Sequence, residues 1–375
     1  MAKRRLNGEG SITFHKSLGL WYGRVLDGGK YANVYGKSKD RVKLAIKDMH
    51  RKQDQGINIV RSSMLLKDYL PEWLALHKNT LRASSYAGYE IMVRVHLIPL
   101  LGKYKLNNIT PEIITRTWNS MIKEGHSATV VNHCQRRLSK ALNDAVRRNL
   151  IHRNPCAFVT TPRIQKKEIN PLGPDEIQWL LHEAKGTQYY SLIFTAIHTG
   201  MRRNELLGLL WKDIDLDLAD IYLNRSIFRS NGETLVQATK TKSSRRTIAL
   251  SPQAVLFLRA ELHTQIDNGL FYGYKVNQDC PVFRTTYTGE ALLPQTVTHG
   301  FKKIANRAGL KMTKFHDLRH THAVMLLKQN VHPKIVQERL GHSTISVTMD
   351  IYSHVIPSMQ KDAIKSFSIA LEPVG

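Results

Sequence analysis

A polar segment bounded by prolines, residues 160–171, separates two stretches of chain with different patterns of hydrophobicity. In the hundred residues before it, apolar side chains recur at helical spacing, as in Leu138, Ala141, Leu142 and Ala145. After it, predicted helices alternate with short predicted strands. The segment therefore has the character of an interdomain linker, and we expect separate domains on its two sides.

The first 60 residues are a further, basic region with 13 lysines and arginines against five acidic residues. Glycines punctuate it, and the pattern predicts strands at about 11–15, 20–26 and 30–35 and a helix at about 38–55. Trp21, Tyr22 and Tyr31 are available for a core. We expect a small sheet-plus-helix module that either binds DNA or presents a solvated basic surface.

These patterns predict a multidomain, mainly α protein whose last domain is α+β. A hinge is expected at 56–63. The expected domains are a three-stranded sheet with a helix at 1–56, a helical domain at 63–162 and a mixed α/β domain at 172–375.

Within the last domain, Gly200 is suited to end a helix at 187–199, after an earlier helix at 174–184. The pair Asn231-Gly232 predicts a hairpin. Its strands are expected at 220–228 and 234–240, with a third strand at 245–250 and mainly helix from 252 to 371.

The net charge points to a polyanionic partner. Lysine and arginine number 55 against 30 acidic residues, which gives +25 and a pI near 10.0. Nucleic acid is the leading candidate, because phosphates release counterions to a basic groove. No stretch is apolar enough to span a bilayer, and no secretory signal is present. The three cysteines lack C-x-x-C spacing, so we expect neither disulfides nor a thiolate metal site, and a cytoplasmic protein of a bacterial host cell.

Five cations lie on the predicted helix that ends near residue 148, away from its apolar face. They form two stripes, one of Arg136, Lys140 and Arg147 and one of Arg137 and Arg148. Charged stripes are usually solvated surface, but cations without a matching set of acids favour contact with DNA phosphates.

Three short islands carry residue types suited to chemistry. In the first, Arg202 and Glu205 open a predicted helix on one face, where the pair either orients a guanidinium or is an ordinary surface ion pair. In the second, His316 and Arg319 lie at i, i+3 near a helix start, where they can bind phosphate oxygens. A metal site built from His316, His320 and His322 is the disfavoured alternative.

The third island joins His342, expected at a turn after Gly341, to Tyr352 ten residues later near the end of a short helix. As isolated residues they are ordinary, since a helix-turn-helix has this geometry and a helical tyrosine is more often core than nucleophile.

Taken together and in this order, the islands resemble the tyrosine recombinase (phage integrase) family over the whole chain. In that family a lysine begins a K-T-K type turn on a hairpin, which here is Lys240-Thr241-Lys242. The resemblance implies that Lys240, with Lys242 in reserve, is the general acid. It also implies an arm-type DNA-binding module, a core-binding domain of SAM-like fold and a catalytic domain.

The resemblance further implies a role for each residue and no cofactor or metal. Tyr352 attacks the scissile phosphate, Arg202 and Arg319 bind its non-bridging oxygens, and His316 and His342 assist. Glu205 orients Arg202. Binding to DNA phosphates is expected of Arg136, Arg137, Lys140, Arg147, Arg148 and Lys242.

The implied partners are double-stranded DNA attachment sites and a homotetramer on DNA in which residues 359–371 pack on a neighbour. A DNA-bending protein and an excisionase are the implied accessory partners. The implied activity integrates and excises a mobile element such as a prophage. Two alternatives remain open at this point, a type IB topoisomerase and a DNA-binding regulator without catalysis.

Overall fold

The computed structural model describes residues 11–164, 170–230, 233–238, 245–352 and 364. The chain divides into two compact units, residues 1–166 and 167–375. The described residues are mainly helical with small antiparallel sheets, which confirms the predicted fold class. No helix of the described ranges is long and apolar enough to cross a membrane.

The first unit begins with an antiparallel three-stranded sheet backed by a helix. Its elements are β1 (Ser11–His15), β2 (Leu20–Asp27), β3 (Lys30–Gly36) and α1 (Lys39–Asp54). Val25 and Ala32 of the sheet pack against Val42 and Ile46 of α1. A side chain at Gly23 would collide with Val42 at 2.6 Å, so the sheet and helix approach closely there. The predicted sheet-plus-helix arrangement is confirmed, with Trp21 packed against its core. Tyr31 is half exposed, and Tyr22 lies on the opposite face of the sheet, so neither belongs to the core.

The segment 56–63, where the sequence predicts a hinge between domains, has regular structure. It contains a one-turn helix, α2 (Ile59–Ser62), whose first residue is buried. The backbone N–H groups of Ile59 and Val60 donate to Oδ2 of Asp27 at 2.5 and 3.3 Å. The N–H of Asn58 donates to the carbonyl of Asn149, so the segment is tied to both the sheet and the helices that follow.

The rest of the first unit is a helical domain. Its helices are α3 (Leu66–Leu76), α4 (Ala83–Ile91), a π-helical turn (Met92–Leu97), α5 (Ile98–Leu101), α6 (Pro111–Lys123) and α7 (Ala128–Arg147), with short 3-10 turns at Leu106–Asn108 and Pro155–Phe158. Trp73 and Trp118 are fully buried against the apolar face of α7, where Leu138 and Ala141 lie. The predicted amphipathic face of α7 is therefore the wall of this core.

The second unit combines helices with two small sheets. Its helices are α8 (Pro174–Ala184), α9 (Tyr190–Thr199), α10 (Arg203–Leu206), α11 (Pro252–Tyr272), α12 (Pro294–Arg307), α13 (Asp317–Lys328), α14 (Pro333–Leu340) and α15 (Ile345–Tyr352), with a 3-10 turn at Trp211–Asp213. Its strands are β4 (Ile214–Asp215), β5 (Asp220–Leu223), β6 (Arg225–Ser230), β7 (Glu233–Ala238) and β8 (Arg246–Ala249).

The strand predicted at 220–228 is two strands that belong to different sheets. β5 pairs with β4 and β8, whereas β6 pairs with β7 in a separate two-stranded ribbon. The ladders change partners at Asn224, because Leu223 lies opposite Arg246 while Arg225 lies opposite Ala238. The turn residues Asn231 and Gly232 lie outside the described residues.

Candidate active site

Arg202 and Glu205 form a tight, largely buried unit at the start of α10. The backbone N–H of Arg202 donates to Glu205 Oε2 at 2.9 Å, and its Nη1 donates to Oε1 at 2.7 Å. The Glu205 side chain is only 5% exposed, whereas that of Arg202 is 38% exposed. The pair is therefore not a surface ion pair: a buried carboxylate holds a guanidinium that reaches solvent.

The carboxylate of Glu205 stays ionised despite its burial. Burial alone would raise its pKa, but hydrogen bonds from Arg246 and the charges of Arg246 and Arg202 lower it to about 2. Arg246 was not among the residues selected from the sequence.

Arg202 and Arg319 are held by consecutive carbonyls at the C-terminal end of α14. Nη2 of Arg202 donates to the carbonyl of Gly341 at 3.0 Å, and Nη2 of Arg319 donates to the carbonyl of Leu340 at 2.7 Å. Nη1 of Arg319 also donates to the carbonyl of Gly200 at 2.9 Å. The folded chain therefore brings all three islands together.

Gly200 makes this convergence possible. It ends α9 with φ of 64°, and a Cβ there would lie 2.5 Å from the ring of His322 and 2.8 Å from Leu340. Only glycine combines the left-handed conformation with that close approach. The prediction of a glycine cap at this position is confirmed.

His342 occupies the turn itself, as the sequence predicts. Gly341 has φ of 67° and ends α14, and the next residue, His342, is buried. Its Nδ1 lies 2.8 Å from Oγ1 of Thr348, which belongs to α15. Tyr352 is the last residue of α15, one helical turn after Thr348, so its backbone belongs to the helix that contacts His342.

His316 lies at the N-cap position of α13, with its ring 4.9 Å from that of His320. It borders a cleft of about 440 Å³ whose walls carry several cations. The lining residues are Arg202, Arg203, Asn204, Thr298, Lys314, Phe315 and His316. A cleft lined by arginine, lysine and imidazole is suited to an anion.

Both site histidines are neutral at ordinary pH. Burial, then the charges of Arg319 and Arg202, lower the pKa of His342 to about 3. Partial desolvation, followed by the neighbouring His320 and Arg319, lowers the pKa of His316 to about 4. A neutral imidazole can donate one hydrogen bond and accept another, which suits both residues to contacts with a phosphate.

His322 does not join His316 and His320, so the three do not form the metal site considered above. Its Nδ1 donates to the carbonyl of Ile197 at 2.8 Å, and its Nε2 accepts from Nε of Arg339 at 3.0 Å. Both ring nitrogens are thus committed to the protein. Burial and the charge of Arg339 lower its pKa to about 3.

These buried imidazoles predict a loss of stability in mild acid. His322 and His342 remain neutral in the folded protein, whereas in the unfolded chain they bind protons near pH 6.5. Their contribution is therefore complete above that pH and declines as the pH falls toward the folded pKa. Between pH 7.5 and 5 each costs about 2 kcal/mol of unfolding free energy.

Denaturant titrations at the two pH values test this expectation. The variant His322→Asn removes one of the titrating groups, so its unfolding free energy should fall less between pH 7.5 and 5 than that of the wild type. Equal stability of the wild type at the two pH values would contradict the assignment of neutral rings.

The lysines expected to act as general acid, Lys240 and the reserve Lys242, lie outside the described residues. They fall between the end of β7 at Ala238 and the start of β8 at Arg246. Their position in the site stays a prediction.

The five cations predicted as two stripes, four of them on α7 and Arg148 directly after its end, differ in their contacts. Arg137 and Lys140, assigned to different stripes, both lie over the ring of Tyr89, at 4.3 and 5.1 Å from its centroid. Arg147 is exposed and lies 3.4 Å from Asp144 on the same helix. Arg136 and Arg148 are exposed. The helix thus holds two cations against an aromatic ring and presents others to solvent.

Comparison with known proteins identifies the class that this fold and site define. The family model described as the phage integrase family matches residues 170–359, and the model of the phage integrase N-terminal SAM-like domain matches residues 65–122. The chain is 30% identical to a Tyrosine recombinase XerC-like protein of Caldanaerobacter subterraneus subsp. tengcongensis, over 89% of this chain and 90% of that protein. It is 27% identical to the ICEBs1 integrase of Bacillus subtilis, over 74% of this chain and 75% of that protein.

Solved structures share the fold. The Tn1549 transposon integrase in complex with transposon right end DNA superimposes with a TM-score of 0.68 at 20% identity, covering 81% of this chain and all of that one. The lambda integrase tetramer bound to a Holliday junction gives a TM-score of 0.59 at 18% identity, covering 93% and 96%. The chain belongs to the phage integrase family, and it is a tyrosine recombinase of the integrase type.

Proposed function

We propose that this protein cuts and rejoins double-stranded DNA at attachment sites through a 3′-phosphotyrosine at Tyr352. The observation that best supports this proposal is that Arg202 and Arg319 converge on the carbonyls of residues 340 and 341. These carbonyls directly precede His342 and the helix that ends at Tyr352. Two guanidiniums fixed side by side, with neutral imidazoles beside them, form a site for one phosphate.

In the proposed reaction, the hydroxyl oxygen of Tyr352 attacks phosphorus, and the bond from phosphorus to the 5′-oxygen breaks. Arg202 and Arg319 stabilise the negative charge on the non-bridging oxygens, with His342 and His316 as hydrogen-bonding partners. Lys240 protonates the departing 5′-oxygen, with Lys242 as the alternative. Because the phosphotyrosine conserves the energy of the broken bond, a 5′-hydroxyl can reverse the step without a nucleotide cofactor or metal.

The reversal explains recombination. When the attacking 5′-hydroxyl belongs to another duplex, cleavage becomes strand exchange, and an element is integrated or excised. We propose a mobile element such as a prophage as the substrate and the bacterial cytoplasm, on DNA, as the location. The Tn1549 transposon integrase and the lambda integrase, which share this fold, support that choice.

The N-terminal sheet is proposed to bind a second, arm-type DNA site. One face of the sheet packs on α1, and the other carries Tyr22, Arg24 and Asn33 in adjacent register. Tyr22 Oη donates to Asn33 Oδ1 at 2.8 Å, and Arg24 lies 4.5 Å from the ring centroid of Tyr31. A sheet face that carries polar and cationic side chains can contact bases in the major groove.

On the crossover site itself, we propose that the exposed Arg136 of α7 and Arg148 directly after it contact phosphates, and that Arg147 does so after leaving Asp144. Arg137 and Lys140 contribute from their position on Tyr89, and Lys242 from the catalytic unit. We further propose a homotetramer on DNA, with a bending protein and an excisionase as accessory partners. Of the tail expected to pack on a neighbour, only Ile364 lies within the described residues, and it is 62% exposed.

The test is to incubate the protein with EDTA on a nicked duplex that contains a candidate attachment site. The nick lets the short cleaved strand diffuse away and traps the covalent intermediate. A protein–DNA adduct that resists denaturation and maps to Tyr352 by peptide mass is the expected result. Tight binding without an adduct would instead identify a DNA-binding regulator. In a parallel assay, relaxation of a supercoiled plasmid without strand exchange would identify a topoisomerase.

A further inference from the structure

We propose that Arg246 is a positioning residue of the phosphate site, which fixes Glu205, and through it Arg202, against the turn that carries His342. The inference rests on the proposed function, because the geometry that Arg246 maintains matters only if Arg202 binds the scissile phosphate. It adds to the site a residue at the start of β8, outside the three islands.

Arg246 contacts two of the segments that build the site. Its Nη1 and Nη2 donate to Glu205 Oε1 and Oε2 at 3.2 and 3.0 Å, a bidentate pair. Its Nε donates to the carbonyl of Arg339 at 2.7 Å. That carbonyl directly precedes those of Leu340 and Gly341, which hold Arg319 and Arg202. The planar guanidinium of Arg246 therefore connects the Glu205 carboxylate, which binds Arg202, with the end of α14, whose carbonyls bind both site arginines.

The contacts leave Glu205 fully engaged. Its two oxygens accept four hydrogen bonds, two from Arg202 and two from Arg246. The side chains of Glu205 and Arg246 are 5% and 7% exposed. Without Arg246, a buried carboxylate would draw on Arg202 alone, and the guanidinium of Arg202 would be pulled toward it and away from the cleft.

The two segments that flank Arg246, strand β8 and the end of α14, are fixed by hydrogen bonds. Arg246 lies opposite Leu223 in the β5–β8 ladder, two residues before the fully buried Ile248. On the other side, Arg339 is itself fastened, since Nη1 donates to the carbonyl of Ala249 at 3.0 Å and Nη2 to that of His198 at 3.2 Å. Because its own contacts fix the guanidinium of Arg246, that group can hold Glu205, and through it Arg202, in one position.

Lysine cannot replace Arg246 in this role. An ammonium is a single point of charge, whereas the guanidinium addresses two carboxylate oxygens and a carbonyl in one plane. Arg246→Lys therefore keeps the charge and removes the geometry. It is the discriminating variant.

The experiment measures single-turnover adduct formation by the full chain on the nicked duplex, at protein concentrations that saturate the DNA. For Arg246→Lys we expect a rate constant about 100-fold lower than that of the wild type, since small misplacements of a catalytic group cost about this much. The DNA dissociation constant and the final amplitude of adduct should stay within about threefold. An inactive, misfolded fraction would leave the rate constant of the folded fraction unchanged.

A second substrate distinguishes a defect in phosphate binding by Arg202 from a defect in protonation by the general acid. Replacing the bridging 5′-oxygen with sulfur creates a leaving group that departs as a thiolate without a proton donor. If Arg246 positions Arg202, Arg246→Lys should show the same fold loss on the oxygen and the sulfur substrate. Recovery of a near wild-type rate on the sulfur substrate would overturn the proposal, because Arg246 would then support proton donation by Lys240 or Lys242 instead of phosphate binding by Arg202.

The neighbouring Arg245 supplies the matched control. It is exposed, and Arg245→Lys makes the same chemical change one residue away; its rate constant should stay within about twofold of the wild type. An undiminished rate for Arg246→Lys, or an equal loss for Arg245→Lys, would overturn the inference while the wild-type adduct still supports the proposed function.

Should Arg246→Lys not fold, Glu205→Asp carries the same test. It keeps the carboxylate but shortens it by one methylene, so it cannot reach both arginines. The same rate loss on both substrates, at unchanged affinity, is expected, and a wild-type rate would contradict the proposal.

Discussion

Tyr352→Phe is expected to form no covalent adduct with DNA while it binds the attachment site with unchanged affinity. The substitution removes one oxygen atom, which is the nucleophile of the proposed reaction, and leaves the ring. Loss of a covalent nucleophile costs on the order of 10⁴-fold or more in rate. Adduct formation on the nicked duplex and fluorescence anisotropy of labelled DNA measure the two quantities separately.

The control is Tyr287→Phe, which removes a hydroxyl from a tyrosine that is 71% exposed in the second unit. Its rate should match that of the wild type. An adduct that persists in Tyr352→Phe, or a variant that loses binding but not cleavage, would contradict the assignment of Tyr352.

The sequence predicted the bounds of helices and strands correctly where a local pattern, such as the spacing of glycines, is enough to determine the element. The glycine-punctuated strands of the first 36 residues and the helix that ends at Gly200 are found within a residue or so of their expected bounds, apart from the later start of that helix at Tyr190. The change of partners at Asn224 escaped prediction, because strand alternation continues across it and only long-range pairing separates β5 from β6. The tethering of 56–63 likewise depends on Asp27 and Asn149, which are distant in sequence.

The candidate site could be predicted in its residue types but not in its connections. Arg202, Glu205, His316, Arg319 and His342 were selected from spacing and from resemblance, and the structure brings them together. The sequence does not show that the carbonyls of residues 340 and 341 bind the two arginines, because these contacts arise only from tertiary packing. Arg246 carried no local signal, since a strand arginine beside another arginine resembles surface charge, and its pairing with Glu205 spans 41 residues.

Arg319→Lys is expected to lower the single-turnover rate constant by about 10³-fold, and Arg202→Lys by a similar factor, with little change in DNA affinity. Removal of one preorganised donor to a developing negative charge costs about 10²–10³-fold. Arg319 is 3% exposed, and its two terminal nitrogens bridge Gly200 and Leu340. An ammonium cannot bridge these two carbonyls and also present a planar fork to phosphate.

The two arginines act on one phosphate, so their losses should not multiply. We expect the double variant to be only slightly slower than the slower single variant, as for groups that act as a unit. Arg259→Lys is the control, because that arginine is exposed and pairs with Asp217. Since all of these variants keep their positive charge, the salt dependence of DNA binding should be that of the wild type. A rate within tenfold of wild type for Arg319→Lys, or fully multiplicative losses, would show that the two guanidiniums do not share a phosphate.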